Sequence, residues 1–202
     1  MKKLESSLTN MVIVLTLIAI IAGGALAYVN DITAPQIEKI NKENLDAGIK
    51  SVMGSDNIQV ADPIENGGFT CYAVKDADGN SLGSAVTTSE NGFGGPMKVL
   101  VGFDNTGTIL GYTVLEHAET PGLGAKADTW FQKGQKGDII GKNPGKDVLK
   151  VSKDVEGGID AITASTITSR AFLLAIENAY NQYFADGTES TTSVPECPKE
   201  NK

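Results

Sequence analysis

The chain reads as an α+β protein, with one N-terminal transmembrane helix followed by a single domain of antiparallel strands and flanking helices. Three observations predict this. A charge-free apolar run opens the chain, two strand pairs are joined by turn-forming residues, and an apolar-periodic helix follows the strands. No GxGxxG or GxxxxGK[ST] sequence opens a helix, so a doubly wound nucleotide-binding fold has no support.

Met11 to Val29 (MVIVLTLIAIIAGGALAYV) is the membrane segment, residues 11–29. At the helical rise it reaches about 28 Å, the thickness of the hydrocarbon core. Lys2 and Lys3 precede it, so residues 1–10 are expected in the cytoplasm and everything after Asn30 outside it. Tyr28 sits where an interfacial aromatic belongs. Ala25-Leu26-Ala27 also fits a signal-peptide cleavage site, but a run that fills a whole span favours an uncleaved anchor. Ala22, Gly23, Gly24 and Ala25 make one face small, which suits docking against other membrane helices.

Residues 30–57 are expected to form a stalk or first helix. Pro35 is expected to end the span. Gln36 to Met53 then carries a loose apolar stripe of Ile37, Ile40, Leu45, Ile49 and Met53. Residues 58–186 form the soluble domain. Thr70–Val74 is expected to pair with Ser84–Thr88 across Asp78-Gly79. Met97–Phe103 is expected to pair with Thr108–Leu115 across Asp104-Asn105-Thr106-Gly107. Asp128 to Gln132 suits a short helix, Lys133 to Lys146 a surface loop, and Val148 to Val151 one more strand. The last helix is expected from Ser165 to Phe184, with Ile167, Ala171, Leu174, Ala175 and Tyr183 near one stripe and Phe172, Ile176 and Ala179 widening it. Residues 187–202 are polar and read as a flexible tail.

Composition narrows the function. A net charge of -8 argues against nucleic acid, whose phosphates need a basic surface. Cys71 and Cys197 are far apart with no CxxC pair, so neither a metal knuckle nor a redox dithiol is indicated; a disulfide between them is open in an oxidising compartment. His117 is the only histidine, which leaves no histidine cluster for a metal.

Two stretches carry the chemistry. Asp160–Thr166 (DAITAST) runs into a helix, so Thr163, Ser165, Thr166 and Thr168 cluster hydroxyls at a helix mouth. Amide N–H groups and the helix dipole there suit a phosphate, although a plain Ser/Thr cap has the same composition. Glu116–Gly124 (EHAETPGLG) directly follows the strongest strand. Its glycines permit close backbone approach to a ligand.

DAITAST resembles the flavinylation motif of the extracytoplasmic flavin-binding subunits of two respiratory complexes: the G subunit of the Rnf complex and the C subunit of the Na+-pumping NADH:quinone reductase. That motif reads Asp, any, any, Ser/Thr, Gly, Ala, Thr, and its last Thr carries FMN by a phosphodiester bond. Laid on this chain, the acceptor is Thr166, with Ala164 and Ser165 standing where the family has Gly and Ala. EHAETPGLG resembles the family's HxETPGLG stretch, and Asn91–Pro96 its GYGGP-type turn. The resemblance implies an extracytoplasmic FMN-binding domain with one covalent FMN per chain. It also implies a separate flavin transferase using FAD, and single-electron transfer among membrane subunits of a complex that couples ferredoxin and NAD oxidoreduction to Na+ or H+ translocation. In that setting Asp160, Thr163, Ala164, Ser165, Thr166 and Thr168 are expected around the phosphate. Glu119, Thr120, Gly122, Leu123 and Gly124 are expected in the flavin pocket. Trp130 and Phe131 are further candidates for an apolar slot, and Lys133 or Lys136 for a charge near the flavin. His117 reads as structural. No catalytic or metal-binding residue is expected.

The chain's shortness and its DAIT…TITSRA run favour the Rnf-type subunit over the C-type one. A pilin-like structural subunit shares the apolar N-terminus, but no Gly-Phe processing site precedes the run and EHAETPGLG has no explanation there. A hydrolase using Ser165 or Thr166 with His117 lacks a Gly-x-Ser-x-Gly elbow.

Overall fold

The structure is a computed structural model and describes residues 8–185 and Cys197. It divides into two compact units at Asn44/Leu45. The first consists of helix α1 (Leu8–Met53) as far as Asn44. This helix is long and apolar enough to cross a membrane: an 18-residue window has a mean hydropathy of 2.6 and none of it is buried.

The expected break at Pro35 does not occur, and the helix continues through it. A proline removes one helical hydrogen bond, here the one to the Asp31 carbonyl. Asp31 and its neighbours are exposed, and a freed carbonyl at an exposed turn can be served by water. The Thr33 hydroxyl also donates to the Val29 carbonyl, 2.9 Å away, reinforcing the preceding turn.

The second unit is built on an antiparallel sheet. Its strands are β1 (Ile58–Val60), β2 (Ile64–Asn66), β3 (Phe69–Asp76), β4 (Ser81–Asn91), β5 (Pro96–Phe103) and β6 (Ile109–Glu116). The order is β1-β3-β4-β5-β6, with β2 also paired to β3. Both expected hairpins form. Thr70 faces Thr87 and Tyr72 faces Ala85 in the first; Val99 faces Val114 and Val101 faces Tyr112 in the second. Aspartates close both turns: Asp76 accepts the amides of Asp78 and Asn80, and Asp104 those of Thr106 and Thr108.

The period of two sends side chains to two cores. Val86, Met97, Val99, Val101 and Phe103 face the main core, which α3 (Thr166–Ala185) covers. Val74, Ala85 and Leu100 face the other, covered within this unit by Ile49, Val52 and Met53 at the end of α1. That packing is close because Gly102 and Gly111 are cross-strand partners. A Cβ on either would stand 2.9 or 2.8 Å from the Val52 carbonyl oxygen.

α3 buries Phe172, Ala175, Ile176, Ala179 and Tyr183, whereas Ile167 and Leu174 are 53% and 45% exposed. The apolar stripe is therefore centred about one residue away from the expected line. α2 (Ala127–Trp130) is the expected short helix, starting one residue earlier. Phe131 is fully buried and stacks on Phe172 at 4.4 Å, so it belongs to the core and not to a ligand slot. Val148 to Val151 is not a strand; only a single parallel bridge joins Val151 to Ile159. Cys71 and Cys197 form a disulfide, with Cα atoms 5.8 Å apart. The rest of the expected tail lies outside the described residues.

Candidate functional site

Three segments that are distant in sequence meet beyond the ends of β4, β5 and β6. The first is the β4–β5 turn, closed by the Gly92 amide donating to the Gly95 carbonyl at 2.8 Å. The second is the loop after β6, from His117 to Gly124. The third is the turn that leads into α3.

Glu119 joins them. Its side chain is buried, with one carboxylate oxygen accepting the Gly94 amide at 3.0 Å and the other accepting the Thr168 hydroxyl at 2.8 Å. Thr168 in turn accepts from the Ser165 hydroxyl at 2.8 Å. A Cβ on Gly92 or Gly124 would lie 2.2 Å from a Glu119 carboxylate oxygen, so these glycines make room for the carboxylate. His117 supports the loop: its Nδ1 accepts the Glu119 amide at 3.2 Å, and its Nε2 lies 3.7 Å from an Asp128 oxygen.

The turn into α3 is held by the Ser169 hydroxyl. It accepts the Ile162 amide at 2.9 Å and donates to the Ser165 carbonyl at 3.0 Å. The Ser165 amide donates to the Ile162 carbonyl, and between these residues Ala164 adopts φ 61°, the only positive φ outside glycine among the described residues. Ala164 occupies the motif position where the resembling family has Gly, and this backbone geometry is what glycine provides most cheaply.

Together the segments enclose a cleft of about 330 Å³. Phe93, Leu123 and Ile167 supply its apolar wall; Glu119, Thr120, Ser165 and Thr166 supply polar groups; Gly124 and Ala164 complete the lining. The three apolar side chains are 72%, 42% and 53% exposed. A cleft of this size and mixed lining is of the kind that holds small cofactors.

The hydroxyls are not equivalent. Thr168 is fully buried and donates to Glu119. Ser165 donates to Thr168. Thr163 is exposed and lies outside the cleft lining. Thr166 is partly exposed, lines the cleft, and accepts a hydrogen bond from the Lys153 ammonium at 3.2 Å.

Several expected residues do not line the cleft. The Trp130 indole N–H donates to the Asp160 carbonyl at 2.8 Å, so Trp130 buttresses the motif and does not form a slot wall. The Asp160 carboxylate accepts from Ser152 at 3.2 Å. Gly122 shapes the loop at φ 79° without lining the cleft. Lys133 and Lys136 are exposed loop residues outside the lining.

Lys153 is not legible in the sequence, because a lysine in a polar loop is most often solvated. Arg170 holds its neighbour: Nε and a terminal nitrogen donate to the two Asp154 oxygens at 2.7 and 2.6 Å. These hydrogen bonds, reinforced by the guanidinium charge, keep the Asp154 carboxyl below its ordinary range.

Residues 92–181 match the FMN-binding domain family. The chain is 30% identical to the G subunit of the ion-translocating oxidoreductase complex of Vibrio cholerae serotype O1, over 83% of this chain and 86% of that one. It is 32% identical to the protein of the same name from Yersinia pestis, with the same two coverages, and 28% identical to that of Methanosarcina acetivorans over 87% and 94%. Among solved structures it is similar to Shewanella oneidensis NqrC, with a TM-score of 0.41 and 26% identity over 55% of this chain and 54% of that one.

Proposed function

The chain belongs to the family of G subunits of ion-translocating oxidoreductase complexes, and on that premise we propose that it is a membrane-anchored electron carrier with one FMN held covalently on Thr166. Membership sets aside the pilin-like and hydrolase readings. An FMN-binding domain in one component of an ion-translocating oxidoreductase complex accounts for the cleft, its apolar wall and its hydroxyl-rich floor.

The observation that carries the choice of acceptor is the contrast among the hydroxyls. Thr166 lines the cleft and is partly exposed, whereas Thr168 is buried against Glu119. Bound FMN supplies a redox centre able to take up and release electrons singly. The protein's part is to hold and surround it. The first amides of α3 and its dipole favour a phosphate beside Thr166. Leu123, Ile167 and Phe93 give the ring an apolar wall, and Glu119 fixes the loop and the helix start relative to each other.

Attachment is assigned to a separate Mg2+-dependent transferase that uses FAD. A threonine hydroxyl is a poor nucleophile, and Thr166 has an ammonium, not a base, as its hydrogen-bond partner. The domain is assigned to the outer side of the membrane, with residues 1–10 in the cytoplasm, 11–29 in the bilayer and 30–57 as a stalk helix. The end of that helix from Leu45 onward packs into the domain and so moves the domain's start back from the expected residue 58. The FMN domain runs to residue 186, with 187–202 as its tail. The basic start, the apolar span and the disulfide all support this orientation. The other membrane subunits of the complex would be its partners.

The test is ultraviolet fluorescence of the denatured protein in a gel after co-expression with the transferase. The expected result is a fluorescent band that Thr166→Ala abolishes. Fluorescence that survives Thr166→Ala and disappears in Thr168→Ala would move the attachment to the buried hydroxyl and refute the assignment.

A further inference from the structure

Lys153 has a position that neither the flavin cleft nor the fold requires. Among the described residues lining the cleft none is cationic, and the one ionisable group there is the Glu119 carboxylate. An anionic phosphate brought to Thr166 therefore meets an acid from within the cleft. The nearest compensating charge recorded at the acceptor is the Lys153 ammonium, 3.2 Å from the Thr166 oxygen.

This lysine is exposed, yet its backbone is held on both sides. The Ser152 amide donates to the Ile159 carbonyl at 2.7 Å, and the Ser152 hydroxyl donates to Asp160. On the other side, Asp154 is gripped by two of the three guanidinium nitrogens of Arg170, and its amide donates to the Val151 carbonyl at 2.9 Å. Arg170 lies four residues after Thr166 on α3, on the same face. The helix that presents the acceptor thus also clamps the loop that presents the ammonium.

We propose that Lys153 is a positioning residue for flavin attachment, serving as the fixed counter-ion of the phosphate joined to Thr166. The inference rests on the covalent-FMN reading above. In the attachment step the Thr166 oxygen bonds to the flavin-side phosphorus of FAD, the phosphoanhydride bond breaks, AMP leaves and the hydroxyl proton passes to solvent or the transferase. No electron is transferred. Lys153 offsets the phosphoryl charge as it approaches and remains paired with the single negative charge of the phosphodiester. Arginine keeps this charge and its donors; glutamine keeps the length and loses the charge.

The experiment uses full-length apoprotein in detergent, the transferase, Mg2+ and FAD, with wild type, Lys153→Gln and Lys153→Arg compared by intact mass over time. Lys153→Gln is expected to slow the initial mass gain by about fivefold, the scale of one charged contact at an exposed site. Lys153→Arg is expected to stay within about twofold of wild type. The second readout is the difference in melting temperature between modified and unmodified protein at low and high NaCl. In wild type this difference should shrink with salt, and in Lys153→Gln it should not. A wild-type rate in Lys153→Gln overturns the proposal. So does a slowed rate with the wild-type salt dependence intact, because that places Lys153 in transferase recognition alone. Failure of wild type to gain FMN on Thr166 refutes the covalent reading itself, an outcome distinct from either.

Discussion

Ala164 sits at φ 61° in the turn before α3, held there by the Ser165–Ile162 and Ser169 hydrogen bonds. A non-glycine residue in this region carries a penalty of roughly 1 kcal/mol. Ala164→Gly relieves it but also makes the unfolded chain more flexible, which returns part of the gain. The expected outcome in chemical denaturation is a stability change between zero and about +1 kcal/mol, with the FMN content unchanged. A loss of more than about 1 kcal/mol would show that the methyl group packs usefully and that the turn is not strained. Leu123 belongs to the same scale. It lines the cleft but remains 42% exposed, so its truncation removes little buried surface. Leu123→Ala in flavinylated protein should shift the visible spectrum or the reduction potential while leaving the melting temperature nearly unchanged. A lowered melting temperature with native spectrum and potential would make the loop purely structural. At this scale the sequence reveals residue types and their order but not their directions. Thr166 and Thr168 are alike in composition, and only the fold buries one of them against Glu119. The partnership of Glu119 with Gly92 and Gly94 joins segments some distance apart in sequence, so no local pattern could announce it.

The elements most legible in sequence are the two hairpins, because alternation of apolar and polar residues coincides there with Asp- and Gly-containing turns. Local pattern misleads at Pro35 of α1, since a proline is a strong breaking signal and the exposed turn around Asp31 tolerates it. It misleads again at Val148 to Val151, because branched residues alone do not make a strand; one bridge to Ile159 is all the pairing available. The α3 stripe is displaced because Ile167 and Leu174 are apolar yet exposed, and Ile167 faces the cleft. The Gly102–Gly111 pair gives no local signal at all. Its purpose is visible only when Val52 is laid across it. Gly102→Ala would force its Cβ against the Val52 backbone, which cannot move as a side-chain end can. The expected cost is about 1–3 kcal/mol of stability in urea unfolding. An unchanged midpoint would show that the end of α1 is free to lift away from the sheet.

For the whole molecule, the apolar span, the disulfide and the FMN-binding domain are consistent with one setting. The Cys71–Cys197 bond joins residues 126 apart, tying the far end of the chain to β3. Replacing both by serine should cost about 2–5 kcal/mol, read from unfolding midpoints of oxidised wild type and variant. Equal midpoints would mean that the bond does not form in the isolated protein. Fold class and the long apolar N-terminal helix are legible because they rest on periodicity and length. The cleft is legible in outline because each of its three segments carries a glycine-rich or hydroxyl-rich stretch. Its charge balance is not, since Lys153 joins Thr166 through a loop held by Arg170. The proposed covalent attachment of FMN to Thr166 is tested most directly by peptide mapping after co-expression with a flavin transferase. Trypsin cleaves after Lys153 and Arg170, releasing Asp154–Arg170 with every hydroxyl of the motif. This peptide should be heavier by one FMN less one water, with fragmentation placing the added mass on Thr166. A peptide of unmodified mass from protein that still carries FMN, or added mass on Thr163, Ser165 or Thr168, would contradict the assignment.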